Sequence, residues 1–374
     1  MLKKIIKPSG LLKSLIKDKL IEEAYLRKNL SNIDYYDVVP LLNENILEEL
    51  NIPNQIHVGR KGFDFKKVMD SCAGETLERM SLMRIFKKQD FIEKKVDLTS
   101  YFSKEELIKH NISSQKLGQL ISLKNVFSKK NEYVLADLII PNIEIRAIPK
   151  FSSSVGAAFY KTTSPAVMGG LLELIERHSI LQAWYLDKNI PRIKNLPKRI
   201  KKITQNIEEK LHLKISFYSL CTEIECPVIC CKLDFGKNIV FGCCADLNTE
   251  IACQKALSES LQLWVSSKFI HKIKQKDSLE KRFTKLIKNP LLKFSYEDVP
   301  FPANSSKFKL YAFFKKNNMK ILYINITPKK LKKYGCAVKV FCPDLLQFQN
   351  NLSLIYKSNE FLLKTSTKEI NPFV

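Results

Sequence analysis

The chain has 374 residues, 45% of them apolar, with 62 Lys and Arg against 38 Asp and Glu, a formal net charge of +24. The apolar fraction supports one large domain or two ordinary ones, while no stretch approaches the ~18 apolar residues of a membrane span and the Lys-punctuated N-terminus lacks a signal peptide's apolar core. The positive excess favours an anionic partner such as a nucleotide or an acidic peptide, but lysines scattered singly or in pairs such as Lys129-Lys130, without a zinc-finger or aromatic–basic signature, argue against nucleic acid.

In chain order, residues 1–52 read as a helical extension, 11–29 showing the clearest 3.6-residue apolar rhythm, and Pro53 closes it. From Ile56 the pattern is strand, Gly-containing turn and helix (65–86), then a Lys-rich connection to about Lys130. Strands are expected at 133–140 and 143–148, a turn at 152–156, and a helix at 166–185 behind Pro165. A charged helix at 197–213 leads into strands at 227–233 and 239–244. These hold Cys230, Cys231, Cys243 and Cys244, with Cys221 and Cys226 just before them. No Cys-x-x-Cys spacing occurs, so the thiols read as small buried hydrophobes in a reducing, cytoplasmic setting. A third long helix (250–271), a loose Lys-rich insertion (272–305) and strands at 321–326 and 337–341 complete the pattern. Strand–turn–helix occurs three times, which predicts an α+β fold of pseudo-repeats, with one domain over 53–374.

Two of these helices carry the same motif. Glu75-Thr76-Leu77-Glu78-Arg79 and Glu173-Leu174-Ile175-Glu176-Arg177 each place two carboxylates three residues apart, on one helical face, within an apolar run. One copy alone reads as a solvated face with ion pairs. Two copies facing each other would supply four carboxylates, Glu75, Glu78, Glu173 and Glu176, hard oxygen ligands suited to Mg²⁺. Both copies follow Gly-bearing stretches, Gly59-Arg60-Lys61-Gly62 and Ser154-Val155-Gly156-Ala157-Ala158, whose turns can bring backbone amides to a phosphate. On the third helix Ala252, Lys255, Glu259 and Gln262 share a face. Lys255 and Glu259 read either as a buried pair or as ligands of phosphate and metal.

These residues resemble the YcaO-type ATP-dependent enzymes from about Ile56 to Pro343. The segment Gly59–Gly62 with Ser71-Cys72-Ala73-Gly74-Glu75-x-x-Glu78-Arg79 looks like the family's first block, and Ser154-x-Gly156 with Glu173-x-x-Glu176-Arg177 like its second. Ala252-x-x-Lys255-Ala256-Leu257-x-Glu259-x-x-Gln262 is similar to the third, and Thr327 with 337–343 to the closing strand. The resemblance implies a YcaO-like fold around a nucleotide-binding crevice. Ser71, Glu75, Glu78, Ser154, Glu173, Glu176, Arg177, Lys255 and Glu259 would line a site for ATP and Mg²⁺.

It further implies activation of a peptide backbone amide. A Cys, Ser or Thr side chain of a ribosomal precursor peptide attacks the preceding carbonyl, the oxyanion takes the γ-phosphoryl group, and loss of phosphate leaves a thiazoline or oxazoline, as in bacteriocin maturation. Thioamide- or amidine-forming chemistry and a non-catalytic scaffold are the competing readings. The chain departs from the family pattern at Lys255 (usually Arg), Tyr160 (usually small), Ser164-Pro165 (a missing carboxylate) and Asn325 (usually Asp). With no room for a fused peptide-recognition module, a separate leader-peptide-binding partner is expected. A flavin-dependent dehydrogenase and self-association are further candidates. The ending Ile370-Asn371-Pro372-Phe373-Val374 looks like a shortened form of the family's proline-rich tail.

Overall fold

The computed structural model describes residues 2–27, 30, 33–52, 58–102, 104–109, 111–142, 153–220, 222–236, 238–270 and 292–346. The chain opens with strand β1 (Leu2–Lys4) and helix α1 (Gly10–Lys17), and Lys19, at φ 58°, turns the backbone out of the helix. The apolar rhythm of 11–29 therefore covers two elements. Helix α1 buries Leu12 and Leu15, and strand β2 (Ile21–Arg27) buries Ile21 and Ala24. Strand β2 pairs antiparallel with β3 (Tyr36–Leu42); beyond the short helix α2 (Glu44–Glu49), β3 also pairs with β4 (Arg60–Gly62). The helical reading of 1–52 is thus corrected to a mixed segment of strands and short helices, because a left-handed residue cannot continue a right-handed helix. Strand β4, past the expected boundary at 52, completes the same sheet in the order β1-β2-β3-β4.

Helix α3 (Phe65–Met83) starts where the Asp64 side chain accepts from the Lys67 amide, satisfying one of its unpaired first-turn donors. Its Val68, Met69, Cys72, Ala73, Leu77 and Met80 pack with Leu12, Leu15 and Val38. The Lys-rich connection holds antiparallel strands β5 (Ile92–Asp97) and β6 (Gln115–Asn125) around helix α4 (Lys104–Lys109). Strand β7 (Asn131–Leu135) pairs with β6 and ends in a single turn at Ala136–Leu138, short of the expected 140. The strand expected at 143–148 and the proline-containing ending lie outside the described residues.

Strand β8 (Ala157–Tyr160) leads into helix α5 (Thr163–Tyr185). The helix starts ahead of Pro165, which is tolerated because first-turn amides have no intrahelical partner. Next come β9 (Asn189–Ile193), α6 (Lys198–Leu211) and the antiparallel β10 (Lys214–Ser219), β11 (Val228–Phe235) and β12 (Asn238–Ala245). Cys230, Cys231, Cys243 and Cys244 are buried free thiols on β11 and β12, as their apolar surroundings predict. After helix α7 (Thr249–Ile270), part of the expected loose insertion forms strand β13 (Lys293–Val299), parallel to β9; residues 271–291 lie outside the described set. Helix α8 (Lys307–Lys316), with Ser306 accepting from the Lys309 amide, precedes strands β14 (Leu322–Asn325) and β15 (Cys336–Phe341).

Two larger sheets result, one ordered β12-β11-β10-β9-β13 and the other β5-β6-β14-β15-β8 with β7 on β6. Helix α5 touches both, packing on β8 and β15 and also on β12, which explains why its apolar residues are not confined to one stripe.

Candidate functional site

Helices α3, α5 and α7 each follow a strand (β4, β8 and β12), and their carboxylates converge. α3 packs on β8 and β15 beside α5, while α7 packs on β12 and touches β4. Two glycines set the distances. Gly156 sits at φ 86°, where a Cβ would lie 2.5 Å from the Val340 carbonyl oxygen, and its amide donates to Glu173 Oε2 at 3.0 Å. On β12, a Cβ at Gly242 would come within 2.7 Å of Glu259 Cβ, so α7 lies against the strand and the Cys243 amide donates to Glu259 Oε2 at 3.0 Å.

The remaining carboxylates are held by arginines. Glu75 Oε2 lies 3.0 Å from Arg60 Nε and Glu75 Oε1 3.8 Å from Arg79 Nε; Glu78 Oε1 is 4.0 Å from Arg79 Nε. Glu176 pairs with Arg177 at 3.3 Å and accepts from the Ala245 amide at 3.4 Å. Burial and the nearby Glu173 push the Glu78 carboxyl up to about 8. Burial does the same to Glu176, to about 8, with Glu259 and Glu173 adding to it and Arg177 opposing. Glu259 is raised as well, by burial. Burial works against the charge of Arg60, but Glu75, Glu78, Glu173 and Glu259 outweigh it and hold the guanidinium above its ordinary value. Arg177 is held up in the same way by Glu176, Glu259 and Glu173.

Of the residues expected at the site, Glu75, Glu78, Glu173, Glu176, Arg177 and Glu259 are therefore brought together. Ser71 is an exposed residue one turn before Glu75 on α3. Ser154 is half-buried in the turn before β8, its carbonyl accepting from the Ala157 amide. Lys255 does not pair with Glu259: its Nζ lies 2.7 Å from Asp246 Oδ2, at the edge of the crevice near Cys244 and Tyr160. Tyr160 finds its space above Gly169, where a Cβ would be 2.8 Å from the ring. Asn325 accepts from the Thr327 amide and shapes the turn after β14.

Sequence reasoning did not assign Arg60, Arg79, Asp246 or Lys339. Arg79 was open to discovery, since it stands in the first motif where Arg177 stands in the second. Lys339 is the one charge in an otherwise apolar strand. Asp246 carries no comparable signal.

The carboxylates are of the type a hard cation takes, although their placement among the described residues does not form a metal site. Glu75, Glu78, Glu173, Glu176 and Glu259 outnumber Arg60, Arg79, Arg177 and Lys339, and carboxylates left with elevated proton affinity are what a divalent cation replaces. Among the described residues no three Asp, Glu, His or Cys side chains stand close enough together to hold a metal. Each carboxylate rests instead on an arginine or a backbone amide.

A carboxylate-rich cluster flanked by cations, where three helices meet, has the charge pattern of a site for a metal and a phosphate ligand together. The family model described as YcaO cyclodehydratase, ATP- and Mg²⁺-binding, matches residues 146–346, and the chain belongs to that family. Its cofactors are ATP and Mg²⁺. The matched region contains α5, α7 and β15, whereas Glu75 and Glu78 lie before it. No curated protein matches the sequence.

Among solved structures, the chain is similar to a heterocyclase in complex with substrate and cofactor (16% identity, TM-score 0.70), covering 93% of this chain and 55% of that one. The chain thus spans about half of that heterocyclase's length. It is also similar to YcaO from Methanopyrus kandleri bound with AMPPCP and Mg²⁺ (15% identity, TM-score 0.66, covering 90% of this chain and 89% of that one). The E. coli microcin synthetase McbBCD complex with pro-MccB17 bound gives 15% identity and a TM-score of 0.62, with 90% and 93% covered. At these identities the likeness establishes the YcaO fold.

Proposed function

We propose that this chain is an ATP- and Mg²⁺-dependent cyclodehydratase subunit that activates a backbone amide of a ribosomal precursor peptide and closes Cys, Ser or Thr onto it as an azoline. The observation that carries this reading is the crowd of carboxylates from α3, α5 and α7, two of them raised to about 8 by burial and like charge. Glu75, Glu78, Glu173 and Glu176 would hold Mg²⁺. Arg177, Lys255, Glu259, Ser71 and Ser154 would surround the nucleotide, with Arg60 and Arg79 as neighbouring cations. Bound ATP supplies the γ-phosphoryl group that turns an amide oxygen, a poor leaving group, into phosphate.

The chain's own residues contribute position and charge, the main currency of phosphoryl-transfer catalysis. Gly156 and Cys243 orient Glu173 and Glu259 through their amides, and Ala245 orients Glu176. Lys255, paired with Asp246 and more than half exposed, would reach an anion at the crevice mouth by exchanging that partner. A precursor peptide and a separate leader-binding subunit belong to this proposal, supported by the peptide-bound microcin synthetase complex of like fold.

Calorimetric titration with a non-hydrolysable ATP analogue tests the site. Saturable, Mg²⁺-dependent binding is expected, and Glu176→Gln should abolish it without altering the far-ultraviolet spectrum. Retained affinity in that variant would remove Glu176 from the site. With peptide and partner present, product mass distinguishes ring closure, which loses one water per ring, from exchange of oxygen for sulfur.

A further inference from the structure

Strand β15 is apolar except at Lys339, which is only 4% exposed. An ammonium group buried this far is costly unless its donors and its charge are both matched. Its donors are matched by two main-chain oxygens: Lys339 Nζ donates to the carbonyls of Ser153 and Val155, each at 2.6 Å. These residues lie just before Gly156 in the turn that enters β8. The next residue of β15 takes hold of the same turn, the Val340 amide donating to the Gly156 carbonyl at 2.8 Å. With its carbonyl engaged, Gly156 presents its amide to Glu173 Oε2. Its charge is only partly offset: burial lowers the Lys339 amine to about 8, with Glu173 and Glu78 opposing the shift.

We propose that Lys339 is a positioning residue of the crevice. Its ammonium clamps the 153–156 turn so that the Gly156 amide holds Glu173 in place. The role in nucleotide binding rests on the ATP and Mg²⁺ reading above; the clamp on the turn does not. Lysine suits the task because it is a compact point charge with three donors, able to gather two carbonyls as a small cation would.

The test uses the full chain with Lys339→Met, which keeps the length of the stem and removes donors and charge. Two readouts are taken: amide hydrogen exchange across 153–158, and titration with AMPPCP in the presence of Mg²⁺. Exchange at Gly156 and Ala157 should rise while the buried turns of α5 keep their protection. Analogue affinity should fall by about tenfold or more, the usual scale for removing a residue that orients a metal ligand. Unchanged exchange in the turn overturns the clamp, and a loosened turn with unchanged affinity overturns the role in binding. If Lys339→Met does not fold, Lys339→Gln, with donors but no charge, is put through the same two measurements. Wild-type protein that binds no analogue refutes the nucleotide reading instead, and the exchange result then still decides whether Lys339 holds the turn.

Discussion

Glu78 and Glu176 keep protons that the same side chains would release in an unfolded chain, because each is raised from 4.5 to about 8. The folded state therefore binds more protons over that interval. The stability these carboxyls contribute is fully present below about pH 4.5 and is lost as the pH rises through about 8. Lys339 acts in the opposite sense but only above about pH 8, since its folded value is depressed to about 8 from 10.5, so it leaves the window clear. The melting temperature of the ligand-free protein should fall from about pH 5 to about pH 8, and Mg²⁺ with analogue should reverse the trend. A flat profile would mean that Glu78 and Glu176 are already ionised. Nucleotide titrations in buffers of differing ionisation enthalpy should show protons released on binding near neutral pH, as cation replaces proton on these oxygens.

At the scale of the element, α7 lies close against β12 at Gly242. Gly242→Ala would push a methyl group to 2.6 Å from the Ser260 amide nitrogen and 2.7 Å from Glu259 Cβ. Overpacking of this kind costs roughly 1–3 kcal/mol, which a shifted denaturation midpoint would register, and analogue affinity should fall alongside it as Glu259 is displaced. The three site helices were legible in the sequence because their apolar runs are long, and two of them carry the same charged motif. The N-terminal strands were not: α1 and β2 are both apolar on one side, and without the turn at Lys19 their residues merge into one helical rhythm. Strands β5 and β6 were hidden by Lys94, Lys95, Lys116 and Lys124, which break the alternation that Val96, Ile121 and Leu123 would otherwise display. Arg60 and Lys339 stand within the quoted blocks, but their contacts with the carboxylates and the 153–156 turn come from strand pairings that no local spacing encodes. The Lys255 partner, Asp246, depends on how β12 turns into α7.

For the whole molecule, the N-terminal sheet bears on the chemistry because β4 carries Arg60 to Glu75. Its charged centre is Asp37, 1% exposed, with Arg27 Nε at 2.6 Å and Lys61 Nζ at 3.7 Å. Asp37→Asn would leave both cations without their counter-charge, a loss of about 2 kcal/mol given that Arg27 is partly solvated. Chemical denaturation should report that loss, and analogue titration a weaker site, although Asp37 touches no carboxylate of the crevice. The net charge of +24 suits a phosphate-bearing ligand and an acidic peptide, so association with such a peptide should slow as salt is raised. The pairing of β15 with β8 has a different kind of consequence, one of timing. Lys339 and Ser153 are 186 positions apart, a stretch that a ribosome takes roughly 10–40 s to make. Throughout that interval the acidic helix α5 exists without the strand that braces its turn. A nascent chain halted before Cys336 would carry both Glu-x-x-Glu-Arg motifs and still lack the strand whose lysine braces the 153–156 turn, so the order of synthesis sets when Glu173 can be held in place.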